Sequence, residues 1–101
     1  MASKLLTKRI TADVAVTDVG IGGTLYGMIL IGGTSASKLQ LKDGTTSGGI
    51  LAELTLKTQT AVGDDCKPFS IPEGIDFNSD IFADITGTNA VGYVFYKQNP
   101  N

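Results

Sequence analysis

Asp76-Phe77-Asn78-Ser79-Asp80 places hard oxygen ligands at alternate positions, the spacing with which a calcium-binding loop begins. The continuation departs from such a loop. Its sixth position is Ile81, where glycine is needed, and its twelfth is Gly87, where a bidentate glutamate is needed. Apolar residues on both sides read as strands, so the segment is expected to turn a hairpin rather than to hold a metal. The chain contains no histidine, which removes the usual general base near neutral pH and the commonest metal ligand. A Ser–His–Asp or Cys–His nucleophile is therefore impossible. Cys66 is the one cysteine and cannot form a structural zinc site within one chain. Its neighbour Lys67 would point to the other side of a strand, so Cys66 reads as a buried or incidental thiol. Gly20-Ile21-Gly22-Gly23-Thr24 is glycine-rich in the manner of a phosphate cradle. It lacks the Gly-Lys-Ser/Thr ending, and no helix follows to present its N-terminus to an anion. Asp64-Asp65 lies in a polar stretch without the opposed carboxylate that sugar hydrolysis requires. No catalytic residue, cofactor or metal is expected, and the protein is read as not an enzyme. The aromatic residues Tyr26, Phe82, Tyr93, Phe95 and Tyr96 would suit stacking on sugars or bases. Without interleaved basic residues, core packing and subunit contact are the favoured reading.

The elements that carry these residues are strands. No window repeats apolar residues at helical spacing, and period-two segments bounded by Gly, Asp, Asn, Ser and Pro recur along the chain. Residues 10–16, 25–31, 38–42, 50–57, 66–71, 75–77, 81–86 and 90–97 are read as strands. Of these, 38–42 alternates cleanly, with Leu39 and Leu41 against Lys38, Gln40 and Lys42, and hairpins with 50–57. Pro68 suits a sheet edge. About eight short strands predict an all-β, small antiparallel β-sandwich, jelly-roll-like in plan. Residues 1–11 are read as an N-terminal arm or first edge segment, 12–97 as one sandwich domain, and 98–101 as a frayed tail.

Composition narrows the function classes. A chain of 101 residues is one domain. Charged residues make up 18%, low against the ~25% of an average soluble protein, which weakens the case for a freely solvated monomer. The net charge of −2, with Lys4, Lys8 and Arg9 the only cluster of cations, argues against nucleic acid and against an anionic membrane surface. A lone cysteine allows no intrachain disulfide and suits a reducing cytoplasm. The start of the chain lacks the apolar run of a signal peptide, and no apolar run approaches the ~18 residues of a spanning helix.

Two of the strands are apolar on both faces. By simple alternation Leu25, Ile29 and Ile31 share one face, and Tyr26, Met28 and Leu30 the other. Val91, Tyr93 and Phe95 likewise oppose Val94 and Tyr96. A small antiparallel sheet needs one apolar face only, so the second calls for a cover, and another subunit is the best candidate. Tyr26, Met28, Leu30, Tyr93, Phe95 and Tyr96 are the expected interface, although alternation alone does not say which face turns inward.

The same segments carry a family likeness. Leu25-Tyr26-Gly27-Met28-Ile29-Leu30-Ile31 leads through a Gly/Thr/Ser turn to Leu39-x-Leu41-x-Asp43-Gly44-Thr45 and then to Ser47-Gly48-Gly49-Ile50-Leu51. Phe69, Gly74-Ile75-x-Phe77, Ile85-Thr86-Gly87 and Val91-x-Tyr93-Val94-x-Tyr96 complete the pattern. Over residues 25–96 the chain resembles small virion proteins of tailed bacteriophages, especially marine and cyanobacterial ones, several of which are capsid decoration or cement proteins. The resemblance implies a small β-sandwich that forms a homo-oligomer, a trimer, on the outer capsid surface. Its partner would be the major capsid protein, and its role to stiffen the shell. It would assemble in the host cytoplasm, with Lys4, Lys8 and Arg9 on an arm that meets an acidic capsid neighbour. Other small phage β-proteins share these turn and strand signatures. The alternative is therefore a tail or fibre module, or a carbohydrate-binding one.

Overall fold

The computed structural model describes residues 5–16, 22–44, 49–61, 65–78 and 80–98. These form eight strands: β1 (Leu6–Ile10), β2 (Val14–Ala15), β3 (Gly23–Ile31), β4 (Ser37–Asp43), β5 (Gly49–Leu56), β6 (Cys66–Phe77), β7 (Ile81–Thr86) and β8 (Val91–Gln98). Two four-stranded antiparallel sheets result, ordered β1-β8-β3-β6 and β2-β7-β4-β5. First pairs with last (β1·β8), second with seventh (β2·β7), third with sixth (β3·β6) and fourth with fifth (β4·β5). The chain is thus one long hairpin rolled up, and the pairings β3·β8 and β4·β7 close the roll. That is the jelly-roll plan anticipated from the strand count.

The core lies between the sheets. Ile10, Leu25, Met28, Leu30 and Val94 from one sheet meet Leu39, Leu41, Ile81 and Ala83 from the other, all fully buried. Alternation explains most of this directly. Leu39 and Leu41 turn inward while Lys38, Gln40 and Lys42 turn outward, and Pro68 sits on β6, an edge strand as its missing N–H requires.

The structure departs from simple alternation in four places. Residues 10–16 do not make one strand: the chain bends at 11–13 and passes from β1 in one sheet to β2 in the other. Residues 66–71 and 75–77 belong to one strand, β6. In it the ladder to β3 jumps from Gly27↔Ser70 to Leu25↔Ile75, so Tyr26 alone stands opposite the excursion 71–74. Gly74, at φ 78°, supplies the left-handed turn of that excursion. On the other side of β3, Leu25 pairs with Tyr96 and Gly27 with Phe95, leaving Tyr26 as a bulge residue. A bulge inverts the alternation beyond it. Leu25, Met28 and Leu30 therefore share the inner face, and Tyr26, Ile29 and Ile31 the outer one. A second bulge, at Leu51 between the pairs Leu41↔Ala52 and Lys42↔Ile50, leaves Ile50 exposed.

Candidate assembly surface

The two outer faces of the sandwich differ in chemistry. On the β2-β7-β4-β5 sheet the rows Thr86–Lys38–Thr55 and Asp84–Gln40–Glu53 run across the strands. Gln40 Nε2 donates to Glu53 Oε2 at 3.1 Å, and Lys42 Nζ lies 3.6 Å from Asp84 Oδ2. These pairs satisfy the polar rows, while the row Phe82–Lys42–Ile50 at one end adds two apolar side chains, of which Ile50 is exposed. On the β1-β8-β3-β6 sheet the matching rows are Val91–Ile31–Cys66 and Arg9–Tyr93–Ile29–Pro68, with Phe95 between Thr7 and the side-chain-free Gly27. Each of these side chains on β3 and β8 is only partly covered within the chain. Gly27 floors an open apolar groove of roughly 340 Å³ between Leu5, Tyr26, Ile29, Pro68 and Phe95. A Cβ at Gly27 would sit 3.0 Å from the Phe69 carbonyl and 3.6 Å from the Phe95 ring, so a side chain there would fill the groove. Lys97 Nζ stands 5.3 Å from the centre of the Tyr26 ring and bounds the patch with a cation–π contact.

The six expected interface residues divide between the two faces. Tyr26, Tyr93 and Phe95 lie on this outer face. Met28, Leu30 and Tyr96 do not: they are 0%, 0% and 7% exposed and belong to the intramolecular core. For Met28 and Leu30 the reason is the bulge at Tyr26. Tyr96 follows Val94 on the inward face of β8. Ile29, Ile31 and Val91 take their places on the outer face. Gly27 within an apolar strand was the available signal, because an isolated strand glycine marks bulges. Lys8 and Arg9 are exposed on β1, paired opposite Val94 and Tyr93, so a sheet edge carries them rather than a free arm. Lys4 lies outside the described residues.

The residues with chemical potential do not converge. Asp76 accepts the Thr24 hydroxyl at 3.0 Å on the surface, while Asp80 is buried, so the calcium-loop spacing is not used as such a loop uses it. Cys66 is exposed rather than buried. Among the described residues no three His, Cys, Asp or Glu side chains come together. At one end of the sandwich Ser35, Ser37 and Thr88 tie two turns together. The buried Ser37 hydroxyl accepts from Gly33 N at 3.0 Å, Ser35 Oγ accepts from Thr88 N at 2.8 Å, and Thr34 N donates to the Thr88 carbonyl at 3.0 Å. These bonds satisfy turn backbone and leave no reactive group.

Asp80 is the exception among buried polar groups. It is 3% exposed, and its Oδ1 has no hydrogen-bond partner. Burial, and then the negative charge of Asp43, push its carboxyl above the ordinary carboxylate range. A raised folded-state value means that protonation favours folding. This contribution is complete below the unfolded value and is lost as pH rises through the folded one. In EDTA, the wild-type melting temperature should therefore fall relative to that of Asp80→Asn as pH rises through this window. At neutral pH the variant should be the more stable, because its neutral amide buries no charge. Circular-dichroism melts of both chains against pH check this, and parallel curves would contradict it.

Compared with protein-family models, with curated proteins and with solved structures, the chain matches none.

Proposed function

We propose that this is a structural assembly protein, a capsid decoration protein of the tailed-phage type, and that it oligomerises through the outer face of the β1-β8-β3-β6 sheet. The contrast between the two outer faces carries this reading: one holds hydrogen-bonded and ion-paired polar rows with Phe82 and Ile50 at one end, the other groups Tyr26, Ile29, Ile31, Val91, Tyr93 and Phe95 at its centre. An exposed apolar patch of this kind, in a chain with 18% charged residues, marks a protein contact. In a closed trimer the face turns toward the symmetry axis and each copy meets two others. Arg9, opposite Tyr93, borders this face, and the exposed Lys8 at the β1 edge is left to meet an acidic capsid surface, where many weak copies gain avidity from the lattice. The sequence likeness to phage virion proteins supports the same reading. The jelly roll itself does not choose, since it hosts capsid and carbohydrate-binding domains alike.

Sedimentation with decoration-free capsids of marine tailed phages tests the capsid part. Saturable co-pelleting, weakened in the Lys8→Glu, Arg9→Glu variant, is expected. Absence of pelleting, together with saturable glycan binding that Tyr93→Ala abolishes, would replace the reading with a carbohydrate-binding module.

A further inference from the structure

We propose that the corner between Asp43 and Asp80 is a binding site for a hard divalent cation, with calcium the best match. Asp43 is the last residue of β4 and stands opposite Ile81 in the ladder, so Asp80 is one residue from direct register with it. Backbone bonds hold the two together. Gly44 N donates to the Asp80 carbonyl at 2.9 Å, and Asn78 N reaches the two Asp43 carboxylate oxygens at 3.2 and 3.3 Å. The start of β7 is thus folded over the end of β4. Within this corner Asp80 is almost fully buried, and its Oδ1 meets no donor.

A buried carboxylate is relieved by a proton, a salt bridge or a metal. The nearest cation along the chain, Lys42, is on the outward side of β4 and pairs with Asp84 at 3.6 Å. Asp43 brings a second carboxylate to the same corner and adds to its negative charge. A cation between the carboxylates would give Oδ1 a partner and remove the repulsion in one step. Calcium accepts irregular sets of six to eight oxygens, including main-chain carbonyls and waters, whereas magnesium demands a near-regular octahedron. Two carboxylates and no preformed loop predict a weak site, with a dissociation constant of about 10⁻⁴–10⁻³ M. This set draws on Asp43 at the end of β4 and Asp80 just before β7, two places distant in sequence. It is not the Asp76-Asn78-Asp80 spacing, because Asp76 is turned to Thr24.

Thermal unfolding of the full chain tests the site. The melting temperature is measured in EDTA, then with calcium chloride, magnesium chloride or sodium chloride at matched ionic strength. Calcium at about ten times the dissociation constant should raise the wild-type melting temperature by roughly 5–10 °C over the sodium control, and magnesium by less. Asp80→Asn should melt higher than wild type in EDTA and show no calcium response. Asp43→Asn should lose the response as well, and it decides the matter if Asp80→Asn fails to fold. A wild-type calcium shift no larger than the sodium control, or an undiminished response in Asp43→Asn, would overturn the site. Neither result bears on the proposed assembly role.

Discussion

Leu30→Asp unfolds the chain. Leu30 is 0% exposed on the inner face of β3, flanked there by Leu25 and Met28. Removing its side chain alone costs about 2–5 kcal/mol through lost transfer energy and the cavity left behind. The aspartate adds a buried charge with no cation to pair it, and the combined loss reaches the whole stability of a small domain, about 5–15 kcal/mol. Far-ultraviolet circular dichroism should show loss of the β spectrum at room temperature. A folded Leu30→Asp chain with altered association would place Leu30 at a subunit boundary and contradict the described bulge.

The neighbouring substitution, Ile29→Asp, should do the opposite. Ile29 lies on the outer face between Tyr93 and Pro68. In the isolated chain its side chain is only partly covered, so the cost to folding is about 1 kcal/mol, the span of strand preference at an open site. In an assembly the same position is desolvated. An unpaired charge buried there costs about 3–5 kcal/mol per contact, a loss of at least a hundredfold in affinity. The variant should keep a wild-type spectrum and a cooperative melt while sedimenting as a monomer. One step along β3 thus separates a folding defect from an assembly defect, because successive residues face opposite layers.

Much of this architecture is legible from residue order. Leu39 and Leu41 alternate with Lys38, Gln40 and Lys42 without interruption, and the structure uses them with that parity. Pro68 announces an edge strand by chemistry that holds in any context. The excess of apolar faces on 25–31 and 91–96 likewise follows from composition within a strand. What alternation does not carry is parity across a bulge. The extra residue at Tyr26 inverts the faces of Met28 and Leu30 relative to Leu25, and it arises from pairing with Tyr96 and Phe95, about 70 residues away. The excursion at 71–74 is hidden for the same reason, since Pro72-Glu73-Gly74 reads equally well as a turn between two strands. The burial of Asp80 is likewise a tertiary fact. Nothing local distinguishes it from Asp76, which sits four residues earlier and faces water.

Light scattering of the wild-type protein over a wide concentration series shows whether further copies of the chain cover the outer face of the β1-β8-β3-β6 sheet. A stable species near three times the 10.5 kDa chain is expected. A dimer would keep the face as an interface and remove the trimer. A monodisperse monomer at the highest concentration would contradict the proposed assembly.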